Sequence, residues 1–211
     1  MKTVWDFVLG IITGVIIALI VKFLLSSFES LRKIIPPKRR KSFDREFKNQ
    51  KTAEKSILKD AKNSTFMYVF AMKGGSFCEP APDDNKPGLT SIFNNRDLFN
   101  LEQKYLISDL DNPYLEIRAN ELPDGLPLRK GIETTLLRLE EKTQVNNKIQ
   151  YRTHKEIVRL RLIIFDHCLY ISFQPKSERG RMSPMQRYLK ESSGYTALKA
   201  YFDDMWEKYK N

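Results

Sequence analysis

Residues 7–21 (FVLGIITGVIIALIV) run uncharged and almost wholly apolar, and after Lys22 a further apolar stretch, residues 23–25, extends them. A helix hydrophobic on every face belongs in the middle of a large core or in lipid, and nothing downstream is apolar enough to surround this one. Taken over residues 1–28, with 3–28 as the helical part, it would be ~39 Å long at 1.5 Å per residue, enough for a hydrocarbon core of ~30 Å. Lys22 would snorkel to one interface and Trp5 suits the other. A cleaved signal peptide is a poorer match, because only Lys2 precedes the run and no Ala-x-Ala pattern follows it. Arg32, Lys33, Lys38, Arg39, Arg40 and Lys41 lie beyond the helix against Lys2 before it. Basic flanks stay in the cytoplasm, so the expectation is a single-pass protein of the cell membrane, N-terminus outside and C-terminal domain cytoplasmic, with the lipid bilayer as a partner.

Gly10, Gly14 and Ala18 recur every four residues and so share one side of that helix. Two readings stand: a close-packing face for a homo-oligomer, or the ordinary abundance of small residues in membrane helices. Residues 29–50 form a basic juxtamembrane linker; residues 32–55 hold ten Lys or Arg against Asp44, Glu46 and Glu54, enough to sit on anionic headgroups or simply to be solvated. Pro36 and Pro37 end the preceding helix.

The remaining roughly 160 residues, 51–211, suffice for one domain with a real core. Cys78 and Cys168 are far apart and form no Cys-x-x-Cys, and only His154 and His167 are available as imidazoles, so the sequence suggests no metal site. It contains neither a P-loop nor a dinucleotide fingerprint, and no cofactor is implied. Periodicity predicts a helix over 45–63, a buried strand over 65–72, a proline-rich loop over 78–88, a short helix over 89–101 and a strand over 104–110. An amphipathic helix over 128–145 follows, then strands over 149–153, 158–165 and 168–173, the last two a hairpin about Asp166-His167, and a closing helix over 195–209. This order predicts an α/β sandwich with helices packed on a mixed sheet.

Residues 53–76 (AEKSILKDAKNSTFMYVFAMKGGS), the 159–173 hairpin and the segment 195–206 (YTALKAYFDDMW) together resemble half of the phospholipase D superfamily, in a divergent form found in bacterial regulatory and sensor proteins. The resemblance spans most of the chain after residue 51. That family's catalytic signature is His-x-Lys with an Asp after four intervening residues. Here Asp166 falls on the aspartate and Arg161 on the lysine, while Arg159 replaces the histidine. A guanidinium stays protonated and cannot attack phosphorus, so the resemblance implies a non-catalytic domain without catalytic residues.

Arg159 and Arg161 are two apart on a strand, and Arg152 with His154 lies on a neighbouring one. Arg152, His154, Arg159, Arg161 and Asp166 are therefore the candidate ligand-binding set, suited to a nucleotide or another anion. The alternative is a solvated or salt-bridged strand face. The functional expectation is a membrane-anchored sensor or effector that binds an anionic ligand or a partner protein and signals to or disrupts the membrane, as in a prokaryotic anti-phage system. Two rivals stand beside it: a membrane-bound phosphodiesterase or nuclease using His154 or His167, and a membrane-tethered scaffold for nucleic acid or lipid.

Overall fold

The run FMYVFA is aromatic and β-prone and is punctuated by Asn63-Ser64 before it and Gly74-Gly75 after it, which favours an extended strand buried on both faces. In the computed structural model of the chain it lies inside a seven-stranded mixed sheet, at the junction of its parallel and antiparallel parts. The structure describes residues 44–78, 88–94, 100–122, 127–175 and 181–210, all within the unit Lys41–Asn211.

The membrane-anchored architecture expected from the sequence is corrected. Among the described residues no helix is long and apolar enough to cross a membrane, so the transmembrane span, its single-pass topology and the membrane localisation are not supported. Residues 1–28, with the Gly10, Gly14 and Ala18 face, and the linker as far as residue 43 lie outside the described residues.

The described elements run β1 (Arg45–Phe47), α1 (Gln50–Lys62), β2 (Phe66–Ala71), α2 (Gly75–Cys78), α3 (Thr90–Asn94), β3 (Glu102–Ser108), α4 (Tyr114–Glu121), α5 (Leu128–Val145), β4 (Ile149–His154), β5 (Leu160–Phe165), β6 (Cys168–Phe173), β7 (Met185–Leu189) and α6 (Ser193–Lys208). Their spatial order is β1-β7-β6-β5-β2-β3-β4. β2, β3 and β4 are parallel, whereas β5, β6, β7 and β1 continue the sheet antiparallel from β2. Helix α1 starts where it does because Asn49 and Thr52 cap each other: the Thr52 amide donates to Asn49 Oδ1 at 3.0 Å and the Asn49 amide to Thr52 Oγ1 at 3.1 Å. The three residues that precede this cap pair with β7 as a short edge strand instead of joining the helix.

Two layers of helix cover the sheet. On one face Tyr105 meets Phe77 and Phe93 edge-on, and Asp60 of α1 reaches Cys168 and Tyr170 of β6, so α1, α2 and α3 lie there. On the other face α6 stacks Phe202 on Tyr68, sets Tyr201 against Phe70 and places Trp206 against Arg152. Between them Val69, Tyr105, Leu106, Leu162, Ile163, Phe165 and Leu169 are inaccessible to solvent, each large apolar side chain contributing roughly 1.5–3 kcal/mol by burial. Gly74, at φ 68°, turns the chain from β2 into α2; a Cβ there would stand 2.7 Å from Ile107 Cδ1.

Candidate functional site

Arg161 is the second residue of β5, directly opposite Ser172 of β6, and it points to the face covered by α1. Ser172 in turn pairs with Met185 of β7, two residues after Ser183. Gln50 opens α1 at this corner, its amide donating to the Arg181 carbonyl at 3.3 Å. The corner is dry: Arg161 is 9% exposed, Ser172 1%, Ser183 0% and Gln50 7%. It is also short of partners. Among the described residues Arg161 Nε and Nη1, Ser172 Oγ, Ser183 Oγ and Gln50 Oε1 are buried without a hydrogen bond.

Burial, with the like charge of Arg181 nearby, pushes the Arg161 guanidinium down to about 10, which still leaves it cationic at neutral pH. A guanidinium has five N–H donors in a planar fork and no neutral form to retreat to, so a buried, unpaired one is among the least comfortable groups a fold can hold. Together with two free hydroxyls, it presents what a small oxyanion needs: charge, directed donors and the absence of competing water.

The other residues expected to form the site are distributed elsewhere. Arg159 precedes β5 and turns to α4, where Nη2 donates to Glu121 Oε1 at 2.5 Å; Glu121 also accepts from Arg118 at 3.1 Å and is held below the usual carboxylate range by these pairs. That ion pair walls a small apolar cleft lined by Met72, Tyr114, Ile117 and Val158. Arg152 lies on the opposite face, its guanidinium 4.2 Å from the Trp206 ring centre and donating to the Trp206 carbonyl. His154 is buried on that face as well. Its Nδ1 accepts from the Glu156 amide at 3.2 Å, and burial pushes it down to about 4, so it is neutral at pH 7.

Asp166 directly follows β5, five residues and therefore ~17 Å along the chain from Arg161. Burial alone would raise its carboxyl, but His167 and Thr65 hold it at about 2, with the Thr65 amide at 2.9 Å and His167 Nδ1 at 2.9 Å. Of the five candidates, then, Arg161 is the buried cation whose nitrogens lack hydrogen-bond partners among the described residues.

At Asp166's end of the sheet lies a second cluster that sequence spacing did not suggest. Asp60, on the buried face of α1, accepts from Tyr170 at 2.5 Å, Arg187 Nε at 2.9 Å, Cys168 Sγ at 3.2 Å and His167 Nε2 at 3.2 Å. Burial would raise its carboxyl, yet these donors hold it below the ordinary range. Asp60, His167 and Cys168 offer three ligand atoms within 4.8 Å of one another. Their geometry is compatible with a metal, but the carboxylate already has a counter-ion: Arg187 takes both of its oxygens and reaches Asp44 with its remaining nitrogen. Burial and the Asp60 charge push the Cys168 thiol up, the opposite of what a metal ligand or nucleophile requires. The signal that could have revealed this cluster is the placement of Asp60 on the apolar stripe of Ala53, Ile57 and Ala61.

No protein-family model matches the sequence. No curated protein matches it either. Among solved structures the chain is similar to TrmBL2, an archaeal chromatin protein whose structure shows a novel mode of DNA binding, with 11% identity and a TM-score of 0.45 over 91% of this chain and 62% of that one. The chain thus spans less than two thirds of the length of that structure, and a likeness this distant decides nothing about function.

Proposed function

We propose that this domain is a binding module for a small oxyanion, a phosphate-bearing molecule such as a nucleotide foremost, held by Arg161 with help from Ser172 and Ser183. The observation that carries the reading is the buried guanidinium whose Nε and Nη1 have no partner. An isolated buried charge is costly enough that folds pair it, neutralise it or bind something to it, and arginine cannot be neutralised. Within this reading the resemblance to the phospholipase D superfamily is retained: Arg161 stands at the position of the signature lysine, so a phosphodiester-type site is kept for binding and stripped of chemistry. Binding is favoured over catalysis because His154 lies on the opposite face and His167 at the opposite end of β5.

The test is thermal denaturation of the full chain with inorganic phosphate, pyrophosphate and a panel of nucleotides, beside Arg161→Met. A ligand at about 100 times its Kd should stabilise the wild type by ~2.7 kcal/mol. The variant should lose that shift and, free of ligand, be more stable than wild type by roughly 1–4 kcal/mol, as when other buried charges are replaced by apolar groups of similar size. A variant that is less stable and still shifts with the same anions would sink the proposal.

A further inference from the structure

Helix α1 carries Lys51, Lys55, Lys59 and Lys62 on its outer side, and Lys48 stands just ahead of its cap. All five are exposed. At 100° per residue the four helical lysines fall within an arc of ~80°, and they extend over ~17 Å of helix. The two carboxylates of α1 are both committed away from this stripe: Glu54 accepts from the Leu89 amide at 3.0 Å, and Asp60 is turned into the hub beneath the helix. Among the described residues none of the five lysines makes an ion pair, whereas Lys104, Lys199, Lys208 and Lys210 on the other face of the domain each have a carboxylate partner.

A row of like charges at i, i+4 spacing destabilises its own helix, and neither salt bridges nor interleaved acids relieve it here. We infer that the lysine stripe of α1 is a docking surface for the phosphodiester backbone of nucleic acid. Charge complementarity argues for a polyanion. The linear form of the stripe, with ~6 Å between successive turns and flexible four-carbon stems, lets each ammonium reach a separate phosphate along one strand. A lipid surface is the poorer fit, because a membrane-lying helix must offer an apolar face, and that of α1, Ala53, Ile57 and Ala61, is sealed against the sheet. Contacts of this kind position a partner without reading its bases, so binding should be indifferent to sequence. This surface is separate from the Arg161 corner and does not depend on it.

The experiment measures fluorescence anisotropy of a labelled short DNA duplex with the full chain across a salt series. One variant removes the stripe (Lys51→Gln, Lys55→Gln, Lys59→Gln, Lys62→Gln) and a charge-matched control replaces four exposed lysines elsewhere (Lys130→Gln, Lys155→Gln, Lys190→Gln, Lys210→Gln). Four phosphate contacts give a log–log salt slope of ~3.6, so wild-type affinity attributable to the stripe should fall roughly 100-fold between about 50 and 200 mM salt. The stripe variant should lose that slope and the control should keep it. Mass-spectrometric acetylation footprinting of the wild type gives an answer that needs no variant: DNA should protect Lys51, Lys55, Lys59 and Lys62 and leave Lys130, Lys155, Lys190 and Lys210 modified. Equal losses in both variants, unprotected stripe lysines, or stripe-dependent binding to phosphatidylserine vesicles without binding to DNA would each overturn the inference.

Discussion

Helix α1 seals two buried charges against the same face of the sheet, and they are in opposite condition. At one end Asp60 accepts hydrogen bonds from four side chains contributed by two strands and a turn, and its charge is matched by Arg187. At the other end Arg161 has, among the described residues, neither a counter-ion nor partners for two of its nitrogens. Burial is comparable, 6% against 9% exposure, so what differs is pairing alone. The contrast separates a charge the fold uses to hold α1, β6 and β7 together from one to which the described residues give no such partner. It also predicts opposite signs: neutralising the paired charge should destabilise, whereas removing the unpaired one should stabilise, as set out for Arg161→Met.

The largest effect is expected at the paired end. Asp60→Asn keeps the shape of the side chain but leaves the partly buried Arg187 with Asp44 as its remaining carboxylate, and breaking a buried pair costs up to about 3–5 kcal/mol. Urea denaturation of the full chain measures it directly. Stability within 1 kcal/mol of wild type would erase the difference between the two ends, because Asp60 would then be as dispensable as Arg161 is argued to be.

His154 provides an intermediate case, a buried ionisable group that avoids the problem by staying neutral. Its folded value of about 4 lies below the ordinary 6.5, so between those two pH values the unfolded chain binds a proton that the native state refuses. Stability is therefore fully present above pH 6.5, declines as the pH falls, and stops declining from this cause below about 4. The integrated loss is about 3 kcal/mol. Asp166, held at about 2, adds a second decline between 3.8 and 2. His154→Gln should flatten the upper window and leave the lower one; a pH profile unchanged by that substitution would mean the imidazole is not the buried, neutral group described.

Much of this was legible in the sequence, and the reason is local. The amphipathic pattern of residues 128–145 contains its own evidence for a helix, and α5 has those bounds. Residues 168–173 are an apolar run that completes a hairpin across a two-residue turn, and they form β6. Strand β7 has no local signal: Arg187 looks like a solvated charge in the sequence, and only pairing with Asp60 and Asp44, more than a hundred residues earlier, makes it a partly buried one. Arg161 was identifiable as a strand residue from the alternation of residues 158–162, but alternation does not say which face α1 will cover. Grouping it with Arg152 and His154 failed on sheet order: β4 pairs with β3 rather than β5, and its arginine points to α6.

The smallest effect sharpens the contrast most. Arg159 and Arg161 are neighbours by sequence and equivalent by composition, yet Arg159 is half-exposed and paired with Glu121 at a rim where solvent screens the attraction. Arg159→Gln should leave the melting temperature within experimental scatter. More tellingly, it should leave any anion-induced shift intact, because its guanidinium is engaged by α4 and does not reach the corner between β5 and β6. Loss of the shift in Arg159→Gln as well as in Arg161→Met would mean that the two arginines share one anion after all, with the Glu121 pair opening on binding. The site would then be a two-pronged clamp spanning α4 and the sheet instead of a single buried fork.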